Sequence, residues 1–143
     1  MGEAQRGGRA DRWAGDRVSD SQIITERETL MDMLTDMLGA LVTVVTIDAQ
    51  EARPLPGKVA VLIEPPELVY EKWGNAPDIT WRLDVIAGTM ATQAHSLDLI
   101  MRAIDLMAER ELNIQSARPV TISLAGAGDL AAYQLTLNPL EII

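Results

Sequence analysis

Cysteine and phenylalanine are both absent from this sequence, and histidine occurs once, at His95. Without cysteine there is no disulfide, no thiolate nucleophile and no cysteine-ligated zinc. The absence agrees with a reducing compartment but does not fix one. The aromatic residues are Trp13, Tyr70, Trp73, Trp81 and Tyr133, so a core must be aliphatic and rich in methionine. No apolar run approaches the ~20 residues of a membrane span. The N-terminus carries arginines with no apolar segment behind them, which argues against a secretory signal.

What is present suits one domain. The chain has 143 residues, of which 48% are apolar, enough for a single sizeable core. The net charge of −9 is unevenly placed. In residues 1–20, Arg6, Arg9, Arg12 and Arg17 balance Glu3, Asp11, Asp16 and Asp20, so the whole excess lies in residues 21–143. A surface that acidic does not grip nucleic acid through a basic patch, although it can line a channel through which nucleic acid passes. Residues 1–20 lack periodicity and read as a flexible arm, and residues 21–143 as one domain.

The strongest local signal is Ile79–Thr89. Ile79, Trp81, Leu83, Val85 and Ala87 alternate with Thr80, Arg82, Asp84 and Ile86, which predicts one long, half-buried strand. Arg82 and Asp84 fall on its polar face, where they can pair with each other or with a neighbouring strand.

A first helix is expected over Ser21–Gly39, capped by Asp20 or Ser21 and stopped by Gly39. Its stripe of Leu30, Met33, Leu34, Met37 and Leu38 is either core or a soft docking surface. Leu41–Asp48 and Lys58–Glu64 read as strands, the second apolar on both faces and therefore central. Pro65 and Pro66 end it.

Glu67–Asp78 reads as a protruding loop or hairpin, with a turn at Gly74–Pro77. Leu68, Tyr70 and Trp73 on it are either subunit contacts or a cover over the edge of the core. Thr92–Arg110 is a second helix, apolar over two adjacent stripes and so expected to be covered on two sides. Val120–Ala125 and Ala131–Asn138 form a hairpin about Gly126–Asp129. The expected order is α-β-β-β-α-β-β, an α+β domain with a mainly antiparallel mixed sheet and helices packed on it.

Reaction chemistry is not legible. His95 has no partner in a recognisable motif, and the acidic residues form no spaced metal-binding pattern. Gly126-Ala127-Gly128-Asp129 lacks the lysine and the following helix of a phosphate loop. Ser96 and Ser123 have no base in a known arrangement. The expectation is therefore a protein that is not an enzyme, with no catalytic residue, no metal and no cofactor.

Pro56–Ile63, Ile79–Thr89, Ser96–Glu109 and Ser116–Asn138, taken in order, resemble the tail terminator proteins of long-tailed bacteriophages, particularly those of phages infecting actinobacteria. The resemblance covers roughly residues 25–140 and rests on order and texture, not on an invariant motif. It implies an α+β subunit of a homo-hexameric ring in the neck of the virion, assembled in the host cytoplasm. Such a ring caps the tail tube protein, ends tube polymerisation and offers a docking surface to the head connector. DNA would pass through its lumen without specific binding. No catalytic residue carries over. A closed ring needs two different surfaces on each subunit. The candidates are the first helix, through Leu30, Met33 and Met37, and the loop carrying Leu68, Tyr70 and Trp73. Two other readings stand beside this one: another ring-forming neck protein, such as a head-completion or connector adaptor, and a ferredoxin-like domain that binds a small ligand.

Overall fold

The computed structural model describes residues 21–70, 76–88, 93–126 and 128–140. The expected arm over residues 1–20 and the candidate contact Trp73 lie outside them. The chain forms two compact units, residues 1–32 and 33–143, with the boundary inside the first helix.

The first unit contains the start of helix α1 (Gln22–Leu38). Ser21 is its cap. The Ser21 hydroxyl accepts from the backbone N–H of Ile23 at 3.1 Å, satisfying a donor that the first turn leaves without a carbonyl partner. Leu30 is fully buried.

The second unit opens with the last residues of α1, where Leu34, Met37 and Leu38 are buried. The helix stops at Leu38 because Gly39 takes φ +51°, a left-handed conformation that glycine adopts without penalty. Two sheets follow. One has five strands: β1 (Val42–Thr46), β2 (Val59–Ile63), β5 (Arg82–Ala87), β6 (Ile114–Leu124) and β7 (Gly128–Leu137), in the spatial order β1-β2-β5-β7-β6. The other is a two-stranded hairpin of β3 (Glu67–Val69) and β4 (Asp78–Thr80). Helix α2 (Gln93–Glu109) packs across β2, β5 and β7.

The large sheet is mixed. β1 and β2 run parallel, whereas β2–β5, β5–β7 and β7–β6 are antiparallel. Parallel neighbours need a long connection. Residues 47–58 supply it, with a 3-10 turn at Ala49–Glu51 capped by the Asp48 carboxylate, which accepts from Gln50 N–H at 2.9 Å. Every residue of β2 is buried, as its two-sided apolar sequence requires. Burial of each such aliphatic side chain contributes about 1.5–3 kcal/mol. In register with it, Val61, Val85 and Tyr133 share one sheet face, and Leu62, Asp84 and Gln134 the other. On that second face Leu62, Ile86, Leu124, Leu130 and Ala132 gather with Ala52 into a small apolar cluster that contains no helical residue.

Three expectations need correction. The single strand over Ile79–Thr89 is broken at Trp81: Asp78–Thr80 pairs within the hairpin, and Arg82–Ala87 pairs within the large sheet. Trp81 is 1% exposed at the junction, and its carbonyl accepts from Leu137 N–H at 3.0 Å. Among the described residues five strands therefore separate the helices where three were expected. Next, β5 is covered on both faces instead of one, and Asp84 is wholly buried. Finally, β6 begins at Ile114 and continues through Pro119, well before the expected start at Val120. A proline is tolerated there because β6 is an edge strand with one unpaired side.

Helix α2 ends without a glycine. Glu111 takes φ +68°, the N–H of Leu112 reaches the Met107 carbonyl at 3.0 Å, and that of Glu111 reaches the Ala108 carbonyl at 3.0 Å. These bonds form a Schellman motif, and its two apolar partners, Met107 and Leu112, are both buried.

Candidate functional site

The hairpin follows from its own sequence. Pro65 and Pro66 cannot donate to a ladder, so β2 ends at Ile63 and the chain leaves the large sheet. Glu67–Val69 then folds back on Asp78–Thr80, with Leu68 opposite Ile79. Ile79 is buried, whereas Leu68 is 37% and Tyr70 58% exposed. One side of this small ribbon thus faces inward, and an apolar side chain and a phenol stand in water beside it. At its base the Arg82 guanidinium Nη2 meets the Glu67 carboxylate Oε1 at 3.2 Å, both side chains partly exposed. This bond joins the hairpin to β5. Of the two pairings the alternation left open, with Asp84 or with another strand, Arg82 takes the second.

Of the residues expected to form partner surfaces, Leu68 and Tyr70 are therefore brought together and exposed. Leu30 is fully buried and Met37 nearly so, and Met33 is half-buried. Leu30 and Met37 offer no free surface, so of the three expected contacts on α1 only Met33 keeps one, with Ile24 exposed nearer the start of the helix. Helix α2 buries Ser96, Leu99, Ile100, Ala103 and Met107, and it leaves Leu97 and Met101 each 37% exposed, one turn apart on the same face. The expectation that α2 is apolar beyond what its own sheet covers rests on these residues. An open groove of about 480 Å³ runs from Leu97 to Pro119, Thr121 and Tyr133 on the edge of the sheet.

Beside the hairpin lies a line of polar side chains across the second sheet face. Arg118 Nη2 on β6 donates to Gln134 Oε1 on β7 at 3.0 Å, and Gln134 Nε2 donates to Asp84 Oδ1 on β5 at 3.3 Å. Asp84 Oδ2 is buried and has no donor among the described residues. The group that reaches Asp84 from the end of β2 is Glu64, a second carboxyl and hence an acceptor unless protonated. Burial, first, and then the Glu64 carboxyl push the Asp84 pKa up from 3.8 to about 7, against a smaller opposing effect of the Gln134 amide. The sequence carried no signal of this. An Asp at an alternating position reads as a solvent-facing residue, and only the pairing of β5 with strands on both sides buries it.

The remaining candidates resolve simply. His95 is exposed. Ser123 donates to the Asp129 carboxylate across the β6–β7 pair, and Leu124 pairs with Gly128, so Gly126–Asp129 is a hairpin turn and not a phosphate cradle. Gly126 and Gly128 take φ +80° and +74°, conformations that this turn requires. Among the described residues no three His, Cys, Asp or Glu side chains converge as a metal site, and no helix is long and apolar enough to cross a membrane. No family model matches the chain, and no curated protein matches it significantly.

Proposed function

We propose that this chain is a ring-forming structural protein of a phage neck, a tail terminator that caps the tail tube, ends its polymerisation and receives the head connector. The observation that carries the proposal is the pair of distinct apolar patches on the second unit. One is Leu68 with Tyr70 on the hairpin, and the other is Leu97 with Met101 on α2. A closed ring is built from heterologous contacts, in which one patch of each subunit meets a different patch of the next. A lone subunit with two unlike patches has the parts such a contact uses. The charge of −9 fits the same reading, because acidic walls deny DNA phosphates a binding site while the genome passes.

The test is the native mass of the full chain against the Leu68→Ser/Tyr70→Ala double variant. The proposal expects a hexamer-sized species, alone or on a tube end, that the double variant fails to form while its circular dichroism stays unchanged. A variant that assembles as the parent does would overturn the hairpin's role. A stable dimer with a melting temperature raised by small metabolites would favour a ligand-binding domain instead.

A further inference from the structure

The loop that joins β1 to β2 builds one wall of a pocket at the end of the large sheet. Pro56 and Gly57 are the central residues of a type II turn: proline presets the first backbone angle, and Gly57 takes φ +78°. The N–H of Lys58 closes the turn on the Leu55 carbonyl at 3.0 Å, and the N–H of Leu55 reaches the Thr43 hydroxyl on β1 at 3.3 Å. This wall is therefore set before anything binds. The other wall is His95 and Leu99, one turn apart on α2. Gly88 also lines the pocket and adds no side chain, which leaves a mostly apolar space of about 160 Å³. An apolar cavity of about 150 Å³ holds one benzene ring, so the space suits a single aromatic side chain. Leu55, 54% exposed, forms an apolar rim.

The hairpin carries such a side chain. Tyr70 is 58% exposed just after β3, and Leu68 is exposed beside it. Val69 is in register with Asp78, so Tyr70 and Asp78 emerge at the same end of the hairpin. The Glu67 charge is answered by Arg82. Among the described residues neither Asp78 on the hairpin nor Lys58 at the pocket has an ion-pair partner. The two surfaces stand at opposite ends of β5. The hairpin adjoins Arg82 and the pocket adjoins Gly88, and the six residues of β5 between them span about 20 Å. Tyr70 does not line the pocket of its own chain.

We propose that Tyr70 of one copy seats its ring in this pocket of a second copy, with Asp78 against Lys58. Each chain then gives a hairpin at one end and a pocket at the other, a heterologous contact that repeats from copy to copy. One such seat is weak, and closure of a ring multiplies it. This contact deepens the ring reading on which it rests, and it sets the seat of the hairpin on the helix that carries Leu97 and Met101.

Two substitutions at exposed positions separate the halves of the contact. Tyr70→Ser removes the ring, and Leu55→Glu spoils the rim and repels Asp78. Each full-length variant should keep the parent's circular dichroism. In sedimentation up to about 1 mM each should associate at least about thirtyfold more weakly than the parent, the scale of a buried aromatic anchor. A 1:1 mixture of the two should form a pair and stop there, because one intact hairpin meets one intact pocket and the other two ends are dead. In that mixture the ring signals of His95, the sole histidine of the sequence, should shift in an isotope-labelled Tyr70→Ser chain and stay in place in a labelled Leu55→Glu chain. Asp78→Lys and Lys58→Asp should each weaken association about fivefold, and the two combined in one chain should regain most of it. Variants that assemble as the parent does overturn the seat and leave the ring to other surfaces. Variants that fail alone and do not complement each other overturn it as well. A parent that stops at a dimer, with variants that complement, keeps the seat and overturns the ring. A parent that stays monomeric overturns the seat, and a His95 shift with p-cresol would then give the pocket to a small aromatic ligand.

Discussion

Replacing Asp84 by asparagine should stabilise the protein, although the side chain is wholly buried and bonded to Gln134. In the folded chain its pKa is raised from 3.8 to about 7, with burial the first cause and Glu64 the second. Between these values the unfolded chain releases the proton and the folded chain keeps it. The folded state then binds more protons than the unfolded one, so stability must fall as pH rises through that window. Below about pH 4 both states are protonated and Asp84 makes no difference. Above pH 7 the loss is complete, and about three pKa units at 1.36 kcal/mol each make it on the order of 4 kcal/mol. Against a typical total of about 5–15 kcal/mol, that is a large fraction. Asparagine has no proton to lose, and its amide can donate to Glu64 while its oxygen still accepts from Gln134. The assay is urea unfolding of parent and Asp84→Asn across pH, followed by the fluorescence of the buried Trp81. Other titrating groups are common to both proteins and cancel in the difference. That difference should be near zero at acid pH, grow from about pH 4 to about pH 7 and then level off. Two curves that stay parallel, or a variant that is less stable at pH 8, would refute the reasoning.

Glu111→Gly should stabilise by about 0.5–1 kcal/mol in the same assay, because it relieves a left-handed non-glycine residue in a motif that otherwise suits glycine. Ile100→Ala, at a fully buried position of α2, should cost about 2–5 kcal/mol of unfolding free energy. Asp36→Asn should change stability by less than about 1 kcal/mol, since its 2.9 Å bond to Arg110 joins two largely exposed side chains. Met101→Glu, on the exposed part of α2, should leave the melting temperature nearly unchanged yet lower the native mass wherever the parent forms a ring.

The local code was clearest where one rule acted alone. The Ser21 cap, the Gly39 stop, the two-sided apolar strand Val59–Ile63 and the glycine turn before β7 follow from residue chemistry, and the structure has them where that chemistry puts them. Legibility failed where tertiary pairing chose between equal local options. Period-2 alternation continues unbroken across Trp81, so no residue there announces that the chain changes sheets. The strand was expected only from Val120, since nothing local shows that it runs through Pro119 until it is known to lie at an edge. Glu111 carries no sign of its left-handed backbone. Of the candidate contacts, Leu68 and Tyr70 fit either an exposed contact or a cover over the core edge, and only their exposure in the fold decides for the first. The 3-4 spacing of Leu30 and Met37 is shared by core stripes and docking stripes alike, and only burial separates the two.

The proposed role is assembly on a tail tube, and its most direct test is the native mass of the purified full chain with and without the tail tube protein of a long-tailed phage. The account predicts a hexamer-sized ring, or a monomer that becomes one on tube ends and halts tube growth. A dimer whose mass and whose partner's polymerisation are both indifferent to mixing would contradict it.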